Sequence, residues 1–498
     1  MKKLFLYSAT AAFMMTLASC DLDINDNPNY PANGDVNPTL EFPAVENAIA
    51  VVPGDQMFTL GGFFVQYFDQ RPEMNQYNTI AELHFDESSD LYNYCYRALY
   101  AGALADIKDI ESKTDKPANL FACKAMKALA LQYMVDACSD APYTEACMGT
   151  ANPSPKWEGG ETVYKGVLKE LDDAEAAVSS TDDMDMTDPL FSQDVQAWKK
   201  FANALRLRMY LRLIDGGIDA AAYTAKVKAI VAEGNLPDED VAFDVYSNAE
   251  GQYNPWHGCA FGLTTNNFCA AHPLVSYYET TNDPRIGYAI QPAAATGKYA
   301  GMMPGSRTLY QDWGSPVMNK DVSTININVA RSMPIYLFTA AEINFLKAEV
   351  ELRFNNNVPA AKAYYEQAVE EDFVSRGITG ASTFLAGKKV NFDTQATTAD
   401  KLNLIYMQRW VVYFFRNHQE AWAEQRRTDV PKQTTVSTEQ AFKDPTLYSA
   451  GDLFSPGLNY YGNGKTCKRM PYPSQARKLN KNTPPVKSLA DPVFWDIK

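Results

Sequence analysis

Two stretches of the chain combine aromatic rings with amide and carboxylate side chains, which is the chemistry needed to hold a sugar. The first stretch contains Tyr67, Tyr77 and Tyr92, and the second contains Asn254, Trp256, Tyr310, Asp312 and Trp313. A sugar ring exposes apolar C–H faces that stack on aromatic rings, while its hydroxyl groups hydrogen-bond to amides and carboxylates. These eight residues are therefore the candidate ligand contacts, and simple packing within a loop is the alternative for each ring.

The sequence does not contain the short motifs of the common catalytic sites. It lacks His-Glu-x-x-His, Gly-x-Ser-x-Gly, a P-loop and Gly-x-Gly-x-x-Gly, and its four histidines are dispersed. Two carboxylates for glycoside hydrolysis need only meet in space, so the sequence leaves that alternative open. The pattern favours a binding protein over an enzyme.

A group of histidines and cysteines has the spacing of a metal site. His257, Cys259, Cys269 and His272 superficially suit a tetrahedral zinc ion. The spacing is permissive, however, and an oxidising compartment would consume the thiols. We therefore predict no metal and no cofactor.

The N-terminus predicts export and lipidation. Lys2 and Lys3 precede an apolar stretch that is too short for a permanent membrane span and that ends in small residues and Cys20, as in a bacterial lipobox. Residues 1–19 are thus predicted to be a signal peptide, Cys20 a lipid anchor and residues 20–40 a flexible stalk. The alternative is an ordinary secretory signal with an incidental cysteine. Acidic residues directly after Cys20 also resemble the surface-export signal of Bacteroidota lipoproteins.

Composition limits the partners and the cysteine chemistry. The formal net charge of −15 disfavours nucleic acid, whose phosphates require clustered basic residues. If Cys20 is lipidated, seven of the eight cysteines remain, so at least one stays unpaired. Pairing of Cys138 with Cys147, or of Cys259 with Cys269, is conceivable but cannot be deduced from spacing.

Hydrophobic periodicity predicts a mainly α fold. The apolar pattern indicates helices in pairs, 98–112 with 119–138, 161–178 with 194–214 and 340–354 with 359–373, and a further helix over 402–424. The small–aromatic–small spacing of Ala361, Tyr365 and Ala368 resembles a tetratricopeptide repeat. Arg206, Arg208 and Arg212 lie off the apolar stripe of their helix and are expected to be solvated or paired with acidic residues of neighbouring helices.

Two segments interrupt this helical pattern. Residues 235–338 and 431–498 are rich in Gly, Pro, Asn and aromatic residues and read as long loops with short strands. We expect one body over residues 41–498, in which helical pairs (about 98–214 and 340–425) support loop-rich insertions that carry function.

Several segments in a shared order resemble the SusD/RagB family of nutrient-binding outer-membrane lipoproteins of Bacteroidota. They are Asp140-Ala141-Pro142-Tyr143, Trp198-Lys199-Lys200-Phe201-Ala202-Asn203, Asn282-Asp283-Pro284-Arg285, Ala341-Glu342, Gln408-Arg409-Trp410, Glu420-Ala421-Trp422, Arg426-Arg427 and Lys468-Arg469-Met470-Pro471-Tyr472-Pro473. The residues themselves are better explained as scaffold than as ligand contacts. Trp198, Trp410 and Trp422 are expected in the core, and Arg426 and Arg427 in pairs with acidic neighbours.

The resemblance implies binding without catalysis. Such proteins act as lids on SusC-type TonB-dependent transporters, capturing glycans or peptides outside the outer membrane, with the helical pairs as the expected docking face. Peptide or glycopeptide binding, a helical-repeat scaffold that binds only protein and, less favoured, a glycoside hydrolase remain alternatives.

Overall fold

The computed structural model describes residues 37–497 except 180, 262–265, 308 and 313, and it omits the side chains of 259, 260 and 327. The helices in the first half of the chain are α1 (Pro38–Gly54), α2 (Gln56–Phe64), α3 (Asn78–Ala81), α4 (Asn93–Arg97), a π-helical turn (Ala98–Leu104), α5 (Ala105–Lys113), α6 (Pro117–Cys138), α7 (Gly160–Ala177), α8 (Val195–Asp215) and α9 (Ala220–Glu233). The fold is mainly helical, as predicted.

The remaining helices are α10 (Pro255–Phe261), α11 (His272–Thr281), α12 (Ile286–Ala289), α13 (Leu309–Asp312), α14 (Ile327–Ala330), α15 (Ala340–Arg353), α16 (Val358–Ser375), α17 (Ala381–Leu385), α18 (Thr398–Tyr413), α19 (His418–Thr428), α20 (Thr438–Lys443) and α21 (Ser474–Leu479). Short 3₁₀ turns occur at Gly149–Ala151, Asn319–Asp321, Phe392–Thr394 and Pro445–Leu447. Within the described residues, no helix combines the length and apolar character needed to cross a membrane.

The strands are short and lie mostly in the predicted loop-rich segments. They are β1 (Phe68–Gln70), β2 (Asp140–Pro142), β3 (Trp157–Gly159), β4 (Val241–Phe243), β5 (Phe268–Ala270), β6 (Ile290–Gln291), β7 (Thr324–Ile325), β8 (Ile335–Phe338), β9 (Gln433–Ser437) and β10 (Leu453–Ser455). An antiparallel sheet has the order β1-β5-β7-β6, with Asp69 opposite Cys269 and Cys269 opposite Thr324. The pairs β2–β3 and β4–β8 are antiparallel, and β9–β10 is parallel.

The first helix begins inside the segment predicted as a stalk. The side chain of Asn37 accepts a hydrogen bond from the backbone N–H of Thr39 at 3.0 Å, and Pro38 occupies the first helical turn. Both are favourable helix starts, because they satisfy or remove unpaired N–H groups. Residues 38–40 are therefore helical rather than extended.

The helical pairs pack differently from the sequence expectation. α15 packs on α16 as predicted, but α6 packs mainly on α7, and α8 packs mainly on α9. Ala361, Tyr365 and Ala368 are fully buried, which agrees with their repeat-like spacing.

The prediction of a single helix over 402–424 is wrong. The chain breaks between α18 and α19, where Phe415 has a positive φ of 58° and Asn417 accepts a hydrogen bond from the backbone N–H of Glu420 at 3.0 Å. Asn417 thereby caps a new helix. Continuous apolar periodicity across the break concealed it.

Buried arginine–carboxylate pairs connect the helices. Arg208 lies 2.6 Å from Glu342, and Arg212 lies 2.5 Å from Asp136 and also contacts Glu420. These two arginines are fully buried, so pairing, and not solvation, is their role. A buried charge requires such partners, because the protein interior solvates ions poorly.

The predicted burial of the three tryptophans is confirmed, whereas the two adjacent arginines have different partners. Trp198, Trp410 and Trp422 are at most 2% exposed. Arg427 pairs with Glu349 and Glu424, as expected. Arg426 has no carboxylate within ion-pair distance among the described residues and instead donates to backbone carbonyls.

Candidate functional site

Four of the eight candidate contacts lie inside the core. Tyr67, Tyr92, Asn254 and Trp256 are each 0% exposed. The hydroxyl of Tyr67 donates to the carbonyl of Trp410, and that of Tyr92 donates to the carbonyl of Tyr133. Rings enclosed in this way have no face to offer a sugar.

Trp256 is part of an aromatic cluster beneath the sheet. Its Nε1 donates to Thr59 Oγ1 at 2.9 Å, and its ring lies 4.8 Å from Phe58 and stacks 5.6 Å from Phe68. Asn254 supports it by accepting a hydrogen bond from the backbone N–H of Trp256 at 2.9 Å. Both residues stabilise the insertion instead of lining its surface.

Three other candidates reach the surface. Tyr77 and Tyr310 are partly buried, whereas Asp312 is exposed. Tyr77 stacks on Phe268 at 5.1 Å. Trp313, like the lipidation candidate Cys20, lies outside the described residues.

The two candidate loops meet in space although they are far apart in sequence. Arg307 Nε donates to the carbonyl of Pro72 at 2.9 Å. Glu73 and Asn319 exchange two hydrogen bonds, of 3.1 and 3.0 Å, between side chain and backbone. The structure thus places the Tyr77 stretch beside the stretch of Tyr310 and Asp312.

A third loop, which contains none of the predicted contact residues, joins them. Its Gly457 lies so close to α13 that a Cβ there would be 2.7 Å from Leu309 Cδ1. The backbone N–H of Tyr460 donates to the carbonyl of Leu83 at 3.1 Å. We call the surface formed by residues 72–87, the described residues of 303–319, and residues 456–464 the loop face.

Gly305 and Asp69 hold the loop face together from below. Gly305 has a φ of +64°, and a Cβ would lie 2.8 Å from both the carbonyl oxygen of Ala81 and Pro456 Cβ. Its N–H donates to the buried carboxyl of Asp69 at 3.2 Å. Burial raises the pKa of Asp69 to about 8, although its hydrogen bonds from Gln70 and Gly305 oppose that rise.

Tyr460 is the most exposed described aromatic residue of the loop face. Its side chain is 59% exposed, and His84 lies beside it with a ring-centroid distance of 6.3 Å. The adjacent Tyr461 is held in place, since its hydroxyl donates to the carbonyl of Phe85 at 2.6 Å. The sequence does contain a signal for an exposed aromatic loop here, because turn residues surround two aromatic residues in the run Asn459-Tyr460-Tyr461-Gly462-Asn463-Gly464.

Polar groups lie at the edge of the same surface. A cavity of about 390 Å³ is lined in part by Arg71, Glu73, Gln291, Asn319 and Lys320. These side chains offer both donors and acceptors, which hydroxyl groups need. The polar cavity thus shares Glu73 and Asn319 with the loop face.

Cys269 and His272, two of the residues considered for zinc, have separate environments. Cys269 Sγ donates to the carbonyl of Asp69 at 3.4 Å, while the His272 ring packs on Tyr448 and Phe454. Burial lowers the pKa of His272 to about 4. The described His, Cys, Asp and Glu side chains include no cluster of three that could hold a metal ion.

The cysteines whose side chains are described are free thiols, including both members of the conceivable Cys138–Cys147 pair. Cys138 Sγ donates to the carbonyl of Pro471, and Cys147 Sγ donates to that of Tyr100. The two thiols therefore have separate environments.

The chain is a mainly helical scaffold that carries loop-rich insertions. Residues 55–446 match a SusD-like family described as "Starch-binding associating with outer membrane". The chain belongs to this SusD-like family, which is non-catalytic and associated with the outer membrane, and the resemblance seen in the sequence is confirmed.

Solved structures support the same fold. A chitin-binding SusD homologue from Flavobacterium johnsoniae is 21% identical, with a TM-score of 0.70 over 92% of this chain and 98% of that one. A SusD homologue from Bacteroides uniformis is 21% identical, with a TM-score of 0.69 over 91% and 99%. A SusD-like protein from Bacteroides thetaiotaomicron is 20% identical, with a TM-score of 0.68 over 91% and 99%. No curated protein sequence matches the chain significantly.

Proposed function

We propose that this protein is a surface lipoprotein that captures a glycan on its loop face and delivers it to a SusC-like TonB-dependent transporter. The observation that carries the proposal is the exposed ring of Tyr460 on a surface that also brings together the Tyr77 and Tyr310 loops. The family description names starch, and the F. johnsoniae homologue is named for chitin binding. Tyr77, Tyr310, Asp312 and Trp313 remain proposed contacts around this ring.

Physical chemistry supports stacking at Tyr460. A sugar face that covers an exposed aromatic ring removes apolar area from water on both partners, for a gain of about 1–2 kcal/mol. The gain requires little ordering, because the backbone of Tyr460 is already hydrogen-bonded to Leu83 and the neighbouring Tyr461 to Phe85.

The direct test is glycan binding by the wild-type protein and Tyr460→Ala, measured by calorimetry with starch and chitin oligosaccharides. We expect the Tyr460→Ala substitution to weaken Kd by about five- to thirtyfold, which corresponds to the loss of one stacked ring. Tyr94→Ala is the matched control, since Tyr94 is 44% exposed and lies outside the loop face in α4. Equal affinities of wild type and Tyr460→Ala, or an equal loss in Tyr94→Ala, would remove Tyr460 from the site.

Peptides provide the second arm of the test. Binding of peptides but not glycans would favour the peptide or glycopeptide alternative, and binding of neither would favour a scaffold that contacts only protein. Incubation of each bound glycan with the protein, followed by product analysis, should yield no cleavage.

Delivery requires a transporter partner, which we infer from the family. The proposed docking surface is the helical side, with the loop face left open to nutrient. Copurification from detergent-solubilised outer membranes should recover a SusC-like transporter with the protein, and its absence would refute the delivery half of the proposal.

A further inference from the structure

Arg426 differs from most buried arginines of this fold. Among the residues that the structure describes, ten arginines are buried, and eight of them lie within ion-pair distance of a carboxylate. Arg426 is 3% exposed and has no such partner. Its Nε donates to the carbonyl of Trp422 at 3.1 Å, and its Nη1 donates to those of Asp136 and Lys468 at 2.8 and 2.9 Å.

These contacts position the guanidinium without neutralising it. Its carbon lies 3.6 Å from the ring centroid of Trp422 and 5.0 Å from that of Trp495. For Nη2, the described part of the chain provides no hydrogen-bond acceptor, although Nη2 is not sealed from the surface. Burial lowers the pKa of Arg426 to about 10, and the carboxylates of Asp136 and Asp496 offset this effect only in part.

Arg426 lines a cavity of about 510 Å³ between α19 and the C-terminal segment. Lys465 lines the same cavity, is exposed and, among the described residues, has no carboxylate within ion-pair distance. Gln433, Thr466 and Ser488 supply amide and hydroxyl groups to the wall. An anion entering this cavity would meet two cations together with neutral hydrogen-bonding groups.

The charged groups that line the cavity limit how much negative charge a bound anion can have. Asp429 and Asp491 also line it, and Lys468 is paired with Asp496 at 2.9 Å. The charges of Arg426 and Lys465 are therefore balanced by those of Asp429 and Asp491, so a singly charged group held directly by the two cations meets less repulsion than a doubly charged phosphate. A guanidinium edge hydrogen-bonds well to a planar carboxylate.

We propose that this cavity is a subsite for a single carboxylate of the nutrient, held by Arg426 and Lys465. The cavity neighbours the loop face, because Gly464 and Lys465 continue the loop that carries Tyr460. The carboxylate belongs to a uronic-acid residue of the captured glycan. The inference rests on the proposed function only in taking its ligand from the captured nutrient.

The experiment compares acidic with neutral ligands by calorimetry on the full protein. Galacturonate oligosaccharides are matched with galactose oligosaccharides of equal length, and a peptide with a free C-terminus is matched with its amidated form. We expect the galacturonate oligosaccharide to bind about tenfold more tightly than its neutral counterpart at low salt. The preference should shrink on raising NaCl from about 50 to 500 mM, because ions screen exposed charges.

Substitutions test whether this cavity causes the preference for acidic ligands. Lys465→Glu should abolish the preference without unfolding the protein, since Lys465 is exposed, and Arg426→Met should do the same if it folds. Lys478→Glu is the matched control, because Lys478 is an exposed lysine of α21 outside the cavity and undergoes the same charge change. We expect less than about a twofold effect there.

The outcomes separate this inference from the proposed function. Neutral glycans bound as tightly as acidic ones would refute the subsite and leave glycan capture standing. A preference for the free peptide C-terminus alone would refute the assignment of the subsite to a uronic acid. Equal effects of Lys465→Glu and Lys478→Glu would overturn the assignment to this cavity.

Discussion

Replacement of Glu349 by glutamine should destabilise the fold severely, because this buried carboxylate is surrounded by cations. Glu349 is 0% exposed and its Oε1 accepts hydrogen bonds from Arg353 at 2.6 Å, from Arg427 at 2.8 Å and from the hydroxyl of Tyr406 at 3.0 Å. Its Oε2 accepts from Arg427 at 2.8 Å and from Arg409 at 3.0 Å. Burial alone would raise the pKa of Glu349, but the three arginines outweigh it and hold the pKa well below the usual value.

The magnitude follows from the charges. Glu424 and Asp215 also contact these arginines, so the cluster contains three cations and three anions. Glu349→Gln leaves one buried positive charge uncompensated and turns an amide donor toward guanidinium donors. Breaking a buried ion pair in this way costs about 3–5 kcal/mol of unfolding free energy.

Urea denaturation followed by circular dichroism measures the loss. The control is Glu366→Gln, since Glu366 is partly exposed on α16 and lies 3.8 Å from Lys362; it should cost less than about 0.5 kcal/mol. A loss below about 1 kcal/mol in Glu349→Gln, or one equal to that of the control, would refute the view that this cluster connects the helices energetically.

Four further predictions concern the core, a buried acid, the loop face and the anchor. Trp256→Ala should cost about 3–5 kcal/mol in urea denaturation and so lower the amount of folded protein, since the ring fills the core; a mild loss with impaired glycan binding would instead make Trp256 a ligand contact. Burial is the main cause, and the nearby Asp188 the second, of a rise in the pKa of Glu46 to about 10. Glu46 therefore binds its proton more tightly in the folded state than in the unfolded state, so the free energy of unfolding should fall as pH rises from about 4.5 toward 10. Glu46→Gln should flatten that part of the thermal-stability profile, and an unchanged slope would contradict this. Gly305→Ala should weaken glycan binding by more than the accompanying loss of folded protein explains, because a Cβ would collide with Ala81 and Pro456 between two loops. Unaltered affinity would show that the two loops bind independently. Cys20→Ser should move the protein from the outer-membrane fraction to a soluble one, and retention in the membrane fraction would exclude lipidation as its anchor.

Local patterns were sufficient to predict most of the scaffold. The helices near 119–138, 194–214 and 340–373 follow from the apolar pattern, although α6, α8 and α15 are buried on nearly every side and not on one face. The break at Phe415 did not follow, since buried aromatic residues continue the apolar pattern through it. The pairing of α6 with α7 was also missed, because periodicity reports that a face is buried but not what covers it.

The candidate site shows the same limit at the level of single side chains. Trp256 and Tyr460 both lie in loop-rich segments and are both aromatic, yet one is 0% and the other 59% exposed. Aromatic side chains serve cores and binding surfaces equally well, so residue type cannot separate the two roles. Arg426 and Arg427 are adjacent and chemically identical, but only Arg427 meets carboxylates, because successive residues of a helix point in different directions.

The sequence by itself determined a mainly helical SusD-like chain, its loop-rich insertions and an expected lipid anchor, because those properties are encoded in local order and composition. The tertiary structure decided which of the described rings are buried and which are exposed, and it brought residues 72–87, the described residues of 303–319, and residues 456–464 into one surface. Contacts between segments hundreds of residues apart depend on the packing of the whole core, and no local pattern encodes them.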